Sequence, residues 1–234
     1  MQRACDACRT GNLEYIQSLS ADEMARLNTK FDEDGRSLLH AAVSSNKIEL
    51  VGYLIQNGAL PMISCADEEG WTPLHTAASC GSEPLVSLLL NNGADVNCRN
   101  SAGCRPLHYA ASKGHLGTLS LLLERGADAN AQDRTGSAPL HRACSTGRMD
   151  SARFLVERGK ARLGLKDAQG STALHVAVAC NQQPLALLLA SLGADIEATD
   201  KEGTTPLHLV ESNVRFLNTL KAAAAGDMDV DDIL

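Results

Sequence analysis

Residues 71–78, WTPLHTAA, contain the pattern that decides the fold, because close copies of it recur along the chain at a nearly constant spacing. The copies are RSLLHAAV (36–43), CRPLHYAA (104–111), SAPLHRAC (137–144), STALHVAV (171–178) and TTPLHLVE (204–211). Their histidines follow one another at steps of 35, 33, 33, 34 and 33 residues. A period in this range indicates one small structural unit used many times, in which each unit contacts only its neighbours.

Each copy predicts a short helix followed, after a tight turn, by a longer Leu-rich helix. In the first of these helices Thr72 can cap the N-terminus, and Pro73 fills the first helical position, where a missing N–H costs nothing. Leu74, Ala77 and Ala78 share one face, and the small alanines let the neighbouring unit approach closely. The second helices are followed by glycines that act as stop signals, at Gly58, Gly93, Gly126, Gly159 and Gly193.

The composition agrees with thin stacked helices rather than a thick core, because only 3% of the 234 residues are aromatic and 44% are apolar. A net charge of −7 argues against nucleic acid as the main partner, since a phosphate backbone requires a surplus of Lys and Arg. The chain lacks a secretory signal and any apolar run long enough to span a bilayer. We therefore expect a protein of the cytoplasm and nucleus whose eight cysteines are free thiols.

The sequence also argues against catalysis and metal binding. Cys5 and Cys8 form a CxxC pair, but the second pair that a zinc site needs is absent, and Cys8 aligns with Cys144 at a small core position. Cys80 and Cys180 stand at variable positions before the turn between the two helices, where we expect them to be exposed. Neither has a base or an activating cation near it in sequence.

The clustered carboxylates Asp67, Glu68 and Glu69 are predicted to lie on a loop tip open to water, where burial would not tune their pKa values for acid–base chemistry. No nucleotide-binding, nucleophile or metalloprotease motif is present. We expect no enzymatic activity, catalytic residue, metal or cofactor.

The TPLHxA signature resembles the ankyrin repeat, and the resemblance covers nearly the whole chain. A hidden first unit aligns CDACRTGNLEYIQSL (5–19) with HRACSTGRMDSARFL (141–155), with Cys5 in place of the histidine. The resemblance implies an all-α ankyrin-repeat solenoid of seven helix-turn-helix units with β-hairpin loops and a curved concave binding face. It also implies that the TPLH histidines hydrogen-bond the backbone between adjacent loops.

The expected domain organisation is a single repeat domain at 1–225, with an acidic, mobile tail at 226–234. The two extra residues between His40 and His75 are assigned to a hairpin loop within 58–70. The expected repeat units are about 1–31, 32–66, 67–99, 100–132, 133–166, 167–199 and 200–225.

Partner binding is expected on the hairpin tips and on the exposed positions of the first helices, because the ankyrin-repeat pattern leaves the residue types there variable. Trp71, the only tryptophan, is interpreted as a partner contact with core packing as the alternative, because Trp and Arg are enriched among binding hot spots. The candidate partner-binding residues are Asp34, Arg36, Glu68, Trp71, Arg105, Tyr109, Lys113, Arg134 and Arg142.

Charge is distributed in three blocks, with net charges of −6 for 1–100, +6 for 101–166 and −7 for 167–234. This arrangement suits a partner of complementary charge, which would set orientation and association rate, although a charge run can also be a solvated face. Arg105 and Ala138 stand where threonine would cap a helix, a loss of about 1 kcal/mol. Either the basic block is functional or the middle repeats are less optimised.

Within the ankyrin proteins, DEDGRSLLHAAVSSNKIELV, DEEGWTPLHTAAS, GCRPLHYAASKG and APLHRA together resemble the gankyrin family of chaperones for the 26S proteasome regulatory particle. GCRPLHYAASK (103–113) is the most specific stretch, because the ankyrin template demands neither its tyrosine nor its lysine. The resemblance implies that a monomeric chain binds the C-terminal helical domain of a proteasomal ATPase subunit. The family's contact positions correspond to Asp34, Arg36, Glu68, Trp71 and Lys113.

Two departures limit this resemblance. Cys180 stands where the family has an acidic contact residue, and the chain contains no LxCxE sequence for retinoblastoma-type pockets. The alternative function is an ankyrin adaptor or inhibitor in signalling or transcription with an unrelated protein partner.

Overall fold

The computed structural model of the protein describes residues 2–28 and 31–227. These residues form two compact units. The first unit contains the residues up to Pro106 together with Gly117–Ala127, and the second contains Leu107–Leu116 together with the described residues from Asp128 onward. Apart from Gly226 and Asp227, the predicted acidic tail at 226–234 lies outside the described residues.

Fourteen α-helices occur in the described residues. The first seven are α1 (Gln2–Thr10), α2 (Leu13–Gln17), α3 (Ala21–Leu27), α4 (Leu38–Ser44), α5 (Ile48–Leu54), α6 (Pro73–Cys80) and α7 (Glu83–Asn91). The others are α8 (Pro106–Lys113), α9 (Leu116–Glu124), α10 (Pro139–Ser145), α11 (Met149–Glu157), α12 (Ala173–Ala179), α13 (Gln183–Ser191) and α14 (Val214–Ala225). The all-α prediction is confirmed, and the hidden first repeat is present as α1 and α2.

Helices of the same kind stack on one another within each unit. In the first unit α1 packs against α4 and α4 against α6, while α5 packs against α7. In the second unit α10 packs against α12, α11 against α13, and α13 against α14. The alanines of the repeated pattern, such as Ala77, Ala78 and Ala143, are fully buried at these faces. Their small side chains allow the close approach that the repeats need.

Six hairpin loops, at 32–36, 67–71, 100–104, 133–137, 167–171 and 200–204, precede the first helices. In each loop the N–H of the first residue donates to the carbonyl of the fifth at 2.8–3.0 Å. The side-chain oxygen of that first residue, an Asp or Asn, accepts from the N–H groups of the third and fifth residues at 2.8–3.1 Å. The carboxylate or amide therefore closes the turn from inside.

The prediction of β-hairpin loops is wrong in one respect, because none of the described residues forms a β-strand. The isolated bridge between Phe31 and Ser37 is the nearest approach to strand pairing in those ranges. Each loop is closed by one backbone hydrogen bond and by its Asp or Asn side chain, which leaves too few cross-chain bonds for a ladder.

The two extra residues between His40 and His75 are accommodated at the start of the predicted range 58–70, but in helical turns rather than in a hairpin loop. The chain leaves α5 through a widened turn at Ile55–Ala59, where Gly58 has a φ of 99°, and then adds a 3-10 turn at Leu60–Met62. The hairpin loop at 67–71 keeps the same hydrogen bonds as the others. The insertion is therefore absorbed before the loop.

The last repeat is less regular than the sequence predicts. In place of a full first helix, TTPLHLVE forms only a 3-10 turn at His208–Val210 before α14 begins. His208 is exposed, and its Nε2 lies 3.9 Å from Glu211 Oε1 rather than on a loop carbonyl. The described residues provide no following loop against which this helix could form.

Each of the other repeat histidines bridges two repeats. The Thr72 N–H donates to His75 Nδ1 at 3.1 Å, so Nδ1 is the unprotonated nitrogen and Nε2 carries the hydrogen. Nε2 then donates to the Cys104 carbonyl, 3.1 Å away in the next hairpin loop. The equivalent distances from His40, His108, His141 and His175 to their loop carbonyls are 2.9–3.2 Å. This confirms the bridging role that the ankyrin resemblance implies.

Burial keeps the imidazoles of His40, His75 and His141 neutral. His75 is 0% exposed, and desolvation lowers its pKa from the ordinary 6.5 to about 4, against the opposing effect of its bond to the Cys104 carbonyl. Desolvation also lowers the pKa values of His40 and His141. Protonation of Nδ1 would moreover place a second hydrogen against the backbone N–H that it now accepts.

We expect His75→Ala to lower the free energy of unfolding by about 2 to 4 kcal/mol, because it opens a cavity, leaves the Thr72 N–H unpaired and removes one of the two hydrogen bonds that the Cys104 carbonyl accepts. Urea unfolding followed by circular dichroism measures this change. His208→Ala is the matched control and should leave the unfolding midpoint unchanged. Equal effects of the two substitutions would contradict the bridging role.

Stability should also depend on pH through these histidines. Because the folded pKa of His75 lies below the unfolded value, the unfolded chain binds the extra proton, and stability present above pH 6.5 is lost as pH falls towards 4. The shift in His75 corresponds to roughly 3 kcal/mol at the acid end. Urea unfolding at several pH values measures this dependence. The free energy of unfolding should change less with pH in His75→Gln than in the parent, because the glutamine side chain does not titrate.

Candidate functional site

The predicted partner-binding residues divide between the two compact units. In the first unit, Asp34, Arg36, Glu68 and Trp71 lie on two successive hairpin loops, and Arg105 directly follows a third. In the second unit, Tyr109 and Lys113 lie on α8, Arg134 lies on a hairpin loop, and Arg142 lies on α10. The two sets are described separately below.

The hairpin loops of the first unit form a continuous backbone platform. The Glu68 N–H donates to the Asp34 carbonyl at 3.1 Å, and the Ser101 N–H donates to the Glu69 carbonyl at 2.9 Å. The second unit repeats this link from Ala168 to Thr135 and from Lys201 to Gln169. The loop tips are therefore held side by side, and their side chains form one surface within each unit.

Trp71 is half-buried, so it is neither a core residue nor a freely projecting one. Its ring lies tilted at 49° to the ring of His75, with centroids 5.9 Å apart. Its backbone is fixed by Asp67 Oδ1, which accepts the Trp71 N–H at 2.8 Å, and by His40, which donates to its carbonyl at 2.9 Å. The indole lines an open cavity of about 270 Å³, whose wall also includes Arg9 and Arg36.

The charges around this cavity are partly paired within the chain. Arg36 lies 3.5 Å from Asp34 through Nη1 and 3.4 Å from Asp67 through Nε. Arg9 Nη2 donates to Asp32 Oδ2 at 3.0 Å. Arg36 and Asp34 are both exposed, so the pair between them is of the kind that contributes little to stability and can exchange for contacts with a partner.

The prediction that Asp67 lies open to water is wrong. Its side chain is only 5% exposed, because it turns inward to accept the N–H groups of Glu69 and Trp71. Its two neighbours, Glu68 and Glu69, are exposed as predicted. Asp67 is thus a structural residue of the loop, and the loop presents Glu68, Glu69 and Trp71.

Four of the remaining candidates differ in exposure and in their contacts. Arg105 is half-buried, and its Nη1 donates to Asn97 Oδ1 at 2.9 Å in the same unit. Lys113 and Arg134 are exposed. Tyr109 is half-buried on α8.

Arg142 has a structural role that sequence analysis missed. It donates through Nε, at 3.1 Å, and through Nη2 to Asp133 Oδ2. The Asp133 side chain is completely buried and also accepts from the Thr135 hydroxyl at 2.7 Å. Burial alone would raise the pKa of Asp133, but the hydrogen bonds from Thr135, Arg142 and Ser137 and the Arg142 charge lower it to about 2.

The periodicity of the loop carboxylates could have revealed this role. Residues 32, 67, 100, 133, 167 and 200 are Asp or Asn, and they follow one another at the same steps as the histidines. A repeated Asp or Asn eight residues before each histidine is typical of a turn residue rather than of a free surface charge. Arg142 follows its histidine directly and so lies close to that turn.

The cysteines behave as small side chains. Cys5, Cys8 and Cys144 are buried free thiols, and burial raises the pKa of Cys8 to about 12 and that of Cys144 as well. Cys80 and Cys180 are exposed, as expected. Within residues 2–28 and 31–227, no group of three or more His, Cys, Asp or Glu side chains could hold a metal ion. In the same ranges no helix is both long enough and apolar enough to cross a bilayer.

Ala138 lacks the hydroxyl that caps the first helix in other repeats. Its N–H still donates to His141 Nδ1 at 3.3 Å, as the Thr72 N–H does to His75. The imidazole bond is thus the same with or without threonine, and the hydroxyl's own bond to the first turn is lost.

Comparison with known protein families finds two matching models. A model of ankyrin repeats in three copies matches residues 60–133 and 107–200, and a model of a single ankyrin repeat matches residues 34–61. Together these matches span more than half of the chain.

Two curated proteins are similar to shorter parts of the chain. An ankyrin repeat protein of fowlpox virus (strain NVSL) is 48% identical over 42 residues, which is 18% of this chain and 10% of that protein. NF-kappa-B inhibitor zeta of Bos taurus is 36% identical over 73 residues, which is 30% of this chain and 10% of that protein. The chain thus matches about a tenth of the length of either relative.

The ion pair between Arg142 and Asp133 predicts that substitutions of Arg142 and of Arg134 differ in their effect on stability. Arg142→Ala should lower the free energy of unfolding by about 1 to 3 kcal/mol, because it leaves the buried Asp133 carboxylate without its charged donor. Arg134→Ala, on the exposed tip of the same loop, should change it by less than about 0.5 kcal/mol. Thermal and urea unfolding of both variants measure the difference. An Arg142→Ala protein as stable as the parent would show that the pair contributes no stability.

Proposed function

Because the chain belongs to the ankyrin-repeat family, whose repeats bind proteins and are typically not enzymes, we propose that it is a chaperone for assembly of the 26S proteasome regulatory particle. In this proposal the hairpin-loop face holds the C-terminal helical domain of one ATPase subunit. The chain would act as a monomer in the cytoplasm and nucleus, and it would prevent that domain from docking prematurely.

The observation that supports this proposal is the arrangement of four residues in the first unit. Asp34, Arg36, Glu68 and Trp71 lie on adjacent loops that are joined by the hydrogen bond from the Glu68 N–H to the Asp34 carbonyl. These are four of the five positions that correspond to partner contacts in the gankyrin family. The ankyrin template does not require them, so their side chains are available to specify a partner.

The chemistry of this surface suits a charged helical surface. Trp71 offers a large, half-buried ring beside a cavity that Arg36 also lines, and the exposed Arg36 and Glu68 carry opposite charges on the two adjacent loops. An aromatic anchor surrounded by charges is typical of a binding hot spot with a polar rim. Lys113, exposed on α8 of the second unit, is the fifth contact position.

The second candidate function is an adaptor or inhibitor in signalling or transcription. Its support is the 36% identity to NF-kappa-B inhibitor zeta over 73 residues, since that protein is named as an inhibitor. The match spans only a tenth of that relative, so it supports a shared repeat architecture more directly than a shared binding partner.

Affinity capture at low salt separates these two functions. The purified chain is immobilised and exposed to source-cell extract, and the retained proteins are identified by mass spectrometry. Regulatory-particle ATPase subunits should be retained and should elute as salt is raised, because charge complementarity is screened by salt. Their absence, together with retention of signalling or transcription proteins, would replace the first function by the second.

Trp71→Ala tests the contact itself. We expect it to weaken binding to the isolated ATPase C-terminal domain by at least about 2 kcal/mol, or roughly thirtyfold in Kd. The fold should survive, because the hydrogen bonds of this residue to Asp67 and His40 use its backbone. Isothermal titration calorimetry measures the affinity.

Leu60→Ala is a matched control, since Leu60 is an exposed apolar residue of the same unit outside the hairpin loops. It should leave the affinity unchanged. A Trp71→Ala variant that loses thermal stability but retains affinity would assign Trp71 to packing and remove it from the interface.

A further inference from the structure

A basic segment leads from α11 to the following hairpin loop in the second unit. It is defined by four exposed side chains within residues 158–166, namely Arg158, Lys160, Arg162 and Lys166. We propose that this basic segment binds a short acidic stretch of a partner protein. Two of its four cations stand at positions where the other repeats show that the fold favours a different residue, and this departure carries the proposal.

The basic segment presents its charges outwards and its apolar residues inwards. Exposed residues alternate along it with less exposed ones, since Ala161 is buried and Leu163 and Leu165 are half-buried. The apolar side chains therefore pack on the repeats while the cations stay in solvent, which avoids the cost of burying a charge. The charged face thus belongs to the folded surface of the second unit.

The neighbouring repeats hold the backbone of the basic segment. Asn130 of the preceding repeat accepts the Arg162 N–H through Oδ1 at 2.8 Å and donates through Nδ2 to the Lys160 carbonyl at 3.3 Å. Lys166 Nζ donates to the Thr199 carbonyl in the following repeat. Because these contacts fix where the side chains begin, binding a partner costs less conformational entropy than it would on a free chain.

Arg162 replaces a residue that other repeats use to close a turn. The corresponding residues are Asp95, Asp128 and Asp195, and each accepts through Oδ1 the N–H group two residues further on, at 2.9–3.0 Å. An arginine side chain has no acceptor, so it cannot make this hydrogen bond in the fifth repeat. The replacement also exchanges a negative for a positive charge. Stability alone therefore favours aspartate at residue 162.

Lys160 occupies a left-handed backbone position, with a φ of 55°. In three other repeats the residue before the alanine of this turn is a glycine with a φ of 88–92°, at Gly93, Gly126 and Gly193. The other two non-glycine residues of positive φ in the described ranges are asparagines, which tolerate this region better than lysine does. Stability alone therefore favours glycine at residue 160.

The charge of the basic segment is not neutralised within the chain. None of its four cations forms an ion pair with a carboxylate of residues 2–28 or 31–227. Glu157, which directly precedes the segment, is exposed and offsets one charge, so residues 157–166 carry a net charge of +3. A positive cluster of this kind in a chain of net charge −7 attracts acidic groups locally.

The neighbouring repeats limit the size of the acidic partner. At the position of Arg162 they carry Asp128 on one side and Asp195 on the other, and both are exposed. A long polyanion such as nucleic acid, or an anionic membrane surface, would meet these carboxylates and be repelled by them. A protein stretch of about four acidic residues matches the four cations and need not pass the carboxylates.

The proposal goes beyond the proposed chaperone function and does not depend on it. The basic segment shares no residue with the candidate partner-binding residues, and the experiment below contains no proteasomal protein. A failed peptide titration would leave the proposed chaperone function untouched, and a failed capture experiment would leave the basic segment untouched.

The test is a titration of the ¹⁵N-labelled full chain with a peptide of four glutamates, acetylated at its N-terminus and amidated at its C-terminus. At about 50 mM salt the amide signals of Gly159, Lys160 and Arg162 should shift saturably, with a Kd on the order of 1 mM, as a few exposed ion pairs provide. The Kd should rise at least about fivefold at about 300 mM salt, because exposed charges are screened. A peptide of four glutamines should leave the signals in place.

Two substitutions separate binding from folding. Arg162→Asp restores the turn acceptor of the other repeats, so the melting temperature should stay equal or rise while the peptide Kd rises at least about tenfold. Lys160→Gly removes the left-handed lysine, so the melting temperature should again stay equal or rise while the Kd rises about threefold.

Arg215→Asp is the matched control for Arg162→Asp. Arg215 is an exposed cation on α14 of the same unit, and the two substitutions change the net charge equally. Because Arg215 lies outside the basic segment, its substitution should alter the Kd by less than about twofold. Circular dichroism of each variant measures the melting temperature and checks that the fold is intact.

The same titrations contain the results that would overturn the proposal. Shifts that do not saturate, or equal rises in Kd for Arg162→Asp and Arg215→Asp, would remove the site. A fall in melting temperature in both Arg162→Asp and Lys160→Gly would show that the cations serve the fold. Tighter binding of a short DNA duplex or of phosphatidylserine vesicles than of the glutamate peptide would exclude a protein stretch as the preferred ligand. A gain in peptide affinity on combining Asp231→Asn with Asp232→Asn would assign the segment to acidic residues of this chain instead of a partner.

Discussion

The hydrogen bond from His40, His75, His108, His141 and His175 to the next hairpin loop is the interaction on which the rest of this structure depends. The imidazole accepts the N–H at the start of its own helix and donates to a carbonyl of the following loop, so it connects two repeats through two backbone groups. It can do this only as the neutral tautomer with hydrogen on Nε2. Burial lowers the pKa of His75 to about 4 and maintains that state at neutral pH.

The loops that receive these bonds are closed by their own Asp or Asn side chains, which is why they project without strand pairing. Asp67 and Asp133 show the consequence for the surface. Both look like surface charges in the sequence, yet both turn inward and bind backbone N–H groups. Arg142 donates to the buried Asp133 carboxylate, whereas Arg134, on the hairpin loop that contains Asp133, is exposed. Arg142 is therefore a structural residue, and Arg134 is the arginine of that loop that is exposed to a partner.

Function follows from the positions that this framework does not use. The backbone of Trp71 is hydrogen-bonded to His40 and Asp67, while its ring packs beside His75 and remains half-exposed at the surface. One residue can therefore stabilise the repeats and contact a partner.

The sequence by itself determined the repeat and the pairing of a short with a longer helix, because these follow from periodicity and local capping, and its resemblance to the ankyrin repeat implied the structural role of the histidines. It also placed Trp71 and Glu68 on a loop tip. Only the tertiary structure decided that Asp67 and Asp133 are buried, that Arg142 is bound to Asp133, and that the last TPLH segment forms a single turn. These outcomes depend on contacts between residues of different loops or repeats, or on the absence of a following loop among the described residues. Spacing along one chain cannot specify which atoms meet across them.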